Sequence, residues 1–412
     1  MIEVQIDLLN RKRAQQCARC GNCTVVCPVY EITGRESLTA RGKMHLLNTE
    51  LAANPSTNYQ DLFARCLLCG ACEQVCSRKL NIRQLIVEAR SKFPSLYGRH
   101  GIRKSAVRLV LSRSKLLEGL ARAGVHLKNL KLLPAESGLR LKLDLLEPKE
   151  GTKSETASFS GQNPLVGRKA ILYFPGCAAR YLQPGIAVAT GRLCRTLAKC
   201  EPTVPEDQVC CGLAAWSSGG IAEARVLAQK NIAAFTDYEG PVITSCASCS
   251  SFLQSYPALF EDDPNWHARA VSFSSRVMEF SSFFLPVSEG RTFMPESQLR
   301  LYYHEPCHLR FDARNRKPSQ DLIGKIAAAR LDSSETQRCC GQGGLFHIGY
   351  PELSEKIFSS VYARLSSTGS GTVVTTCSGC LMQWQAGLAL RNSSFNVKHL
   401  AVLLAECLEE NN

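Results

Sequence analysis

Eighteen of the 21 cysteines in this 412-residue chain fall into four ordered sets. Cys17, Cys20, Cys23 and Cys27 form one, and Cys66, Cys69, Cys72 and Cys76 a second, both spaced C-x2-C-x2-C-x3-C. A chain so spaced wraps one corner of an iron–sulfur cubane, presenting three thiolates to three irons, while the fourth cysteine lies too far round and ligates a second cluster. The spacing therefore predicts a crossed assignment: Cys17, Cys20, Cys23 and Cys76 around one [4Fe–4S] centre, Cys66, Cys69, Cys72 and Cys27 around the other. Gly21 and Gly70 provide the tight loop and backbone N–H groups directed at sulfur. The competing reading is two structural zinc sites, which ordinarily use two separated C-x2-C pairs.

The other two sets are Cys177, Cys210, Cys211, Cys246, Cys249 and Cys307, Cys339, Cys340, Cys377, Cys380. Each is a single cysteine, a C-C-G motif and a final C-x2-C. Five thiolates exceed the needs of a cubane or a zinc ion and suit an open or bridged iron–sulfur assembly. The alternative, buried structural cysteines with an occasional disulfide, does not explain why all five positions recur. Cys194, Cys200 and Cys407 match no pattern and read as ordinary thiols.

Those cysteines must be positioned by a duplication. Cys177, Cys211 and Cys246 recur as Cys307, Cys340 and Cys377 at offsets of 130, 129 and 131 residues. The flanks repeat too: L-Y-F-P-G-C-A-A-R beside L-Y-Y-H-E-P-C-H-L-R, and P-V-I-T-S-C-A-S-C beside T-V-V-T-T-C-S-G-C. Short β-branched runs (170–174, 242–244) alternate with helical stretches (186–198, 221–235), which predicts βαβ units and a parallel sheet in each half, with cysteines where strands end and helices begin. Around the first eight cysteines, residues 37–47 and 81–91 read as helical; in the latter Ile82, Leu85, Ile86 and Ala89 recur at helical spacing. The expected fold is α/β, with an N-terminal, mainly α-helical two-cluster domain (1–90) and two βαβ-type cysteine-rich domains (169–290 and 291–412). Residues 91–168 form a basic helical segment and a linker, the linker running over 148–168.

Composition fits that architecture: 45% hydrophobic and 21% charged residues are ordinary for a globular protein of two or three domains. The formal net charge is +13, and the stretch from Arg90 to Lys149 holds 14 Lys or Arg against four acids. Within it Ile102, Ala106, Leu109, Val110, Leu116, Leu117 and Leu120 make an apolar stripe. Three readings follow: a docking face for an acidic partner, a surface for anionic lipid, or a helix packed on its neighbour. Nucleic-acid binding is weaker, since aromatic residues are sparse there. Residues 1–16 carry no apolar core of signal-peptide length and no 18-residue apolar run appears, so a cytoplasmic location is expected, with peripheral contact at the inner membrane face through residues 91–147 as one reading. His304 and His308 flank Cys307 and His347 follows the second C-C-G; each is either a hydrogen-bond donor to cluster sulfur, a proton carrier, or a satisfied structural histidine. His399 has no counterpart in the first repeat and reads as structural.

These motifs together resemble the family that contains the iron–sulfur subunit of glycolate oxidase, related D-lactate dehydrogenase subunits and the catalytic subunit of heterodisulfide reductase. The resemblance spans essentially the whole chain and implies a two-cluster ferredoxin domain followed by two domains named for Cys210-Cys211-Gly212 and Cys339-Cys340-Gly341. It implies two [4Fe–4S] clusters, with one or two further clusters, of noncubane [4Fe–4S] type, in the C-C-G domains. It implies an enzyme in the sense of a subunit of an oxidoreductase complex. An FAD-containing partner would oxidise glycolate or D-lactate, and this chain would pass electrons toward a quinone or another carrier. No flavin or nucleotide fingerprint occurs here and no catalytic residue is named. Many glycolate oxidase subunits lose a cysteine of the final C-x2-C. Both pairs are complete here, which keeps disulfide reduction at a noncubane cluster as the alternative.

Overall fold

The computed structural model describes residues 11–52, 55–93, 101–129, 171–295, 299–330, 338–366, 369 and 371–409. The linker expected over 148–168 lies outside them, as do 94–100 and 130–147 of the basic segment. The chain forms a mixture of helices and small parallel sheets in two compact units. The first contains residues 1–109 together with 214–223 and 338–363; the second contains 110–213, 224–337 and 364–412. The first inserted segment follows one C-C-G motif and the second contains the other, so residues that the sequence sets within the cysteine-rich repeats are built into the N-terminal unit.

The first unit is helical. Helix Ala40–Leu47 starts at Thr39, whose hydroxyl accepts from Gly42 N, and helix Thr57–Ala64 at Ser56, which accepts from Tyr59 N. Asn81 caps helix Ile82–Ser91 by accepting from Gln84 N. Such caps satisfy amide donors that have no partner inside the helix. The helical stripe expected in that last helix is buried (Ile82, Leu85, Ile86, Ala89), and Val87 and Arg90 are buried with it. Its apolar face joins Met44, Tyr59, Phe63, Phe93, Phe346 and Ile357 in one core, against which all of the first eight cysteines except the exposed Cys20 pack.

The second unit holds two parallel sheets. Strands β1 (Leu172–Tyr173), β2 (Val242–Thr244) and β3 (Val277–Glu279) lie in the order β1-β2-β3. Strands β4 (Arg300–Tyr303), β5 (Ala329–Arg330), β6 (Thr372–Thr375) and β7 (Asn396–His399) lie in the order β5-β4-β6-β7. The central strands β2 and β6 are buried at every residue, as β-branched runs covered on both faces must be. The sheets superimpose in topology: β1, β2 and β3 correspond to β4, β6 and β7, and a single bridge from Leu172 to Thr203 stands where β5 pairs with β4.

The packing is reciprocal. Helix Gly185–Leu197 of the first repeat packs on helix Leu400–Glu409 of the second, and helix Ala313–Gly324 of the second packs on helix Phe280–Val287 of the first. Each repeat thus covers the last helix of the other. The shared core includes Tyr173, Ile243, Phe280 and Phe284 from one repeat and Leu301, Val374, Leu400 and Leu404 from the other.

Helices Gly101–Ser112 and Ser114–Asn129 carry the basic apolar stripe. Leu117 is buried, but Ile102 is 75% exposed and Leu120 51%, so part of the stripe faces solvent between arginines and lysines. Among the described residues no helix is long and apolar enough to cross a membrane.

Candidate iron–sulfur sites

Two cavities in the first unit divide the eight N-terminal cysteines. Cys17, Cys20, Cys23 and Cys76 line one; Cys27, Cys66, Cys69 and Cys72 line the other. The backbone explains how each loop wraps. Arg19 and Leu68 take φ values of 56° and 54°, and Gly21 and Gly70 take 86° and 84°. Two left-handed residues straddling the second cysteine of each motif turn the chain round a common centre, and glycine accepts this conformation at no steric cost. Leu68 N donates to Cys66 Sγ at 3.4 Å, an amide aimed at sulfur as the glycine-containing loop requires. Neither cavity is lined by a carboxylate or an imidazole among the described residues, so both donor sets are all-thiol and fit a cubane.

The outer and inner sets differ in exposure. Cys20 is exposed, and Val25, in the helix that follows it, is 81% exposed. In the inner set, burial pushes the Cys72 thiol well up from its ordinary value, and Cys27 up as well. Loading iron there must displace protons from thiols that hold them tightly.

Arg90 locks the inner loop. Its side chain is 5% exposed and donates from Nη2 to the carbonyls of Phe63 (2.8 Å), Ala64 (3.2 Å) and Cys66 (2.7 Å). Its Nη1 donates to the carbonyl of Ser217, in the segment that follows the first C-C-G motif. The segment after the second motif is held alike: Tyr350 donates to Asp61 at 2.7 Å, and a Cβ on Gly343 would lie 2.5 Å from Leu67 Cδ2.

In the second unit all five cysteines of the first C-C-G set come together. Cys177 follows β1 and heads a π-helical turn, Ala178–Leu182. Cys246 follows β2 and caps helix Ala247–Gln254, with Cys249 in its first turn. Side-chain hydrogen bonds link Cys177 to Cys210, Cys210 to Cys211, Cys211 to Cys249 and Cys249 to Cys246. Bonds from Cys177 and Cys211 hold the Cys210 thiol well below its ordinary value, while Cys177 and Cys211 are pushed well up. Five sulfurs brought together in one network fit an iron–sulfur assembly of more than four ligands.

The second set repeats this geometry where it lies in the same unit. Cys307 opens helix Cys307–Arg310 after β4, and Cys377 caps helix Ser378–Ala389 after β6 with Cys380 in its first turn. The caps match: φ −121°, ψ 114° at Cys246 and φ −128°, ψ 119° at Cys377. Cys339 and Cys340 belong to the first unit, where Cys339 packs against the inner ferredoxin core. The two repeats meet at their cysteine helices. Cys246 and Cys377 share a side-chain hydrogen bond, Ala247 N donates to Thr376 O at 2.9 Å, and Ser248 Oγ lies 3.1 Å from Cys377 Sγ and 2.9 Å from His308 Nδ1.

Of the other histidines, His304 is buried edge-on to Trp384 and His347 Nδ1 lies 2.8 Å from Gly344 O. Burial lowers His399 to about 4, so its ring is neutral; Nε2 donates to Ser245 O at 2.8 Å and Nδ1 accepts from Ala401 N at 3.1 Å. That bonding is structural, as expected for His399.

The sequence did not point to Asn231, Tyr256 or Glu279. Asn231 accepts from Val209 N at 2.9 Å and donates to Cys210 O at 3.1 Å, and Tyr256 donates to Cys211 O at 2.7 Å; together they fix the C-C dipeptide. Asn231 stands beside Gln229 and Lys230 on helix Ile221–Ala234, so no local signal set it apart. Glu279 ends β3, fully buried, and accepts from Ser281 N at 2.7 Å. Burial pushes its carboxyl from 4.5 up to about 8, with the neighbouring Cys246 adding to the rise. The folded protein therefore binds a proton that the unfolded chain has released above pH 4.5, and stability falls as pH rises through that window. The loss is about 3–5 kcal/mol between the two values, and Glu279→Gln should flatten it. Urea midpoints at pH 5 and pH 8 (about one condition at each end of the window) read this directly; an equal decline in wild type and variant would refute it.

Comparison with known proteins agrees with these sites. Residues 13–80 match the 4Fe-4S dicluster domain, and residues 171–254 and 301–385 each match the cysteine-rich domain. The chain is thus a fusion of one dicluster domain with two cysteine-rich domains. It is 30% identical to the probable glycolate oxidase iron-sulfur subunit of Bacillus subtilis (strain 168), over 95% of this chain and 93% of that protein. It is 24% identical to the glycolate oxidase iron-sulfur subunit of Escherichia coli (strain K12), over 96% and 94%. Lactate utilization protein A of Shouchella clausii is 28% identical over 56% of this chain and 96% of its own. The chain belongs to the family of glycolate oxidase iron-sulfur subunits.

Proposed function

We propose that this protein is the iron–sulfur electron-transfer subunit of an FAD-linked 2-hydroxy-acid dehydrogenase that oxidises glycolate or D-lactate. The observation that carries the reading is the partition of all-thiol sites: two four-cysteine cavities in one unit and a buried five-cysteine network in the other. Full-length similarity to glycolate oxidase iron-sulfur subunits supports the assignment.

Iron–sulfur clusters, when bound, supply one-electron storage and transfer; the protein's part is to order them and set their potentials. Cys17, Cys20, Cys23 and Cys76 hold the outer centre, where exposed Cys20 and Val25 offer a contact for the flavoprotein partner. Cys27, Cys66, Cys69 and Cys72 hold the inner one. Cys177, Cys210, Cys211, Cys246 and Cys249 would hold a further, noncubane cluster, and the sequence pattern of Cys307, Cys339, Cys340, Cys377 and Cys380 repeats the same ligand types. Along the sequence the domains run 1–90, 91–168, 169–290 and 291–412, with 214–223 and 338–363 lent to the first compact unit. A quinone or another carrier takes the electrons, and the exposed apolar positions of the basic helices suit peripheral contact at the cytoplasmic face of a membrane.

The completeness of both C-x2-C pairs, Cys246/Cys249 and Cys377/Cys380, favours a second reading in which a noncubane cluster reduces a disulfide. One experiment separates the two. The protein is purified without oxygen together with the flavoprotein that accompanies it, and assayed through a dye with glycolate, D-lactate and a disulfide. Flavin-dependent hydroxy-acid oxidation is expected, and disulfide turnover without it would overturn the proposal.

A further inference from the structure

The outer and inner cysteine cavities differ in the charge that lines them. The cations of the outer cavity are Arg19, Arg41 and Arg78. Arg19 and Arg78 are exposed, and Arg41 is paired with Glu36 at 2.7 Å, so solvent and a carboxylate screen all three. In the inner cavity Arg65 is paired with Asp61 and Arg83 with Glu73, each at 2.7 Å. Lys43 is different. It is 1% exposed, sits on helix Ala40–Leu47 and donates from Nζ to the carbonyl of Leu38. Among the described residues no carboxylate pairs with it, and the cysteines that line its cavity are Cys27, Cys66, Cys69 and Cys72.

A buried ammonium costs several kcal/mol unless an anion compensates it. One carbonyl is a partial answer. Four thiolates around an iron–sulfide core are a full one, and their negative charge grows by one when the core takes an electron. A fixed cation in a low-dielectric cavity therefore favours the reduced state over the oxidised state more than a screened surface arginine can.

We infer that Lys43 is the residue that sets the potential of the inner site, raising it above the outer site so that an electron delivered to this unit comes to rest at Cys27, Cys66, Cys69 and Cys72. The inference rests on the cluster assignment of the proposed function and adds a direction to it. The reductant is the partner's reduced flavin in the complex and dithionite in the test; one electron enters, and no bond is made or broken.

The test is an EPR-monitored redox titration of the full chain, purified without oxygen, as wild type, Lys43→Met and Lys43→Arg. Cys17→Ala and Cys66→Ala assign the signals to the outer and inner sites. At the potential that half-reduces the wild-type inner site, Lys43→Met should show an inner reduced-to-oxidised ratio about tenfold lower, which is about 59 mV for a one-electron couple. The outer midpoint should stay in place, and Lys43→Arg should keep the inner ratio within about twofold of wild type. An unmoved inner midpoint in Lys43→Met overturns the inference, as does an equal shift at both sites. Loss of the inner signal from both variants also overturns it, because arginine retains the charge. Loss from Lys43→Met alone, with Lys43→Arg at the wild-type midpoint, supports it. Unmoved midpoints with intact hydroxy-acid oxidation sink only this inference, whereas the expected shift without that oxidation sinks only the proposed substrate.

Discussion

Replacing Cys27 by alanine is expected to remove the cluster held by Cys66, Cys69 and Cys72, and to leave intact the one held by the three cysteines nearest to Cys27 in sequence. The reason is geometric. Cys27 follows Cys23 by four residues, yet it lines the inner cavity, while Cys76 from the second motif lines the outer one. The Cys27→Ala spectrum should therefore match that of Cys66→Ala and differ from that of Cys17→Ala, with iron from the dicluster domain falling by about half. Iron content and low-temperature EPR on oxygen-free preparations decide it. A Cys27→Ala protein that resembles Cys17→Ala would mean that each motif closes on its own cluster.

The second large effect belongs to a residue that touches no iron. Arg90→Met should destabilise the first unit by about 3–5 kcal/mol, because the carbonyls of Phe63, Ala64, Cys66 and Ser217 would lose a shared charged donor inside a dry core. The inner cluster should be lost before the outer one, since the carbonyl of Cys66 is among the four. Chemical denaturation followed at the cluster absorbance, beside far-ultraviolet circular dichroism, separates local loosening from global unfolding. A variant that retains wild-type stability and both signals would show that the carbonyls find other donors.

What could be read from the sequence was what depends on local spacing. The cysteine runs, the repeat offsets near 130 and the β-branched run Val242–Thr244 all announce themselves within a few residues. The helix expected over 186–198 is found at Gly185–Leu197, and the one over 221–235 at Ile221–Ala234. What could not be read depends on burial that only the tertiary fold creates. Arg90 and Lys43 share a helix face with buried apolar residues, Ile86 and Val87 for one and Ala40 and Leu47 for the other, yet a cation ordinarily faces water, and the carbonyls that accept from each come from other segments. Asn231 looks like one polar position on an exposed face until Val209 N and Cys210 O are brought to it. The stretch around Ser37 was legible as helical only in part: a single 3-10 turn, Glu36–Leu38, comes first, and the α-helix begins at Ala40. The membership of residues 214–223 and 338–363 in the N-terminal unit was invisible for the same reason, since no spacing rule links them to Arg90 or Leu67.

The exchange of helix coverage between the two cysteine-rich repeats has a consequence for how such a chain could arise. Helix Leu400–Glu409 is sheltered by helix Gly185–Leu197, and helix Phe280–Val287 by helix Ala313–Gly324. A primordial chain with one such module would leave the apolar side of its terminal helix bare, and a second identical molecule, related by a dyad, would cover it in an isologous homodimer. Tandem fusion would make that self-association permanent and free the two halves to diverge, as at the end of the last strand of each sheet, where Glu279 pairs with Thr244 in one and His399 with Thr375 in the other.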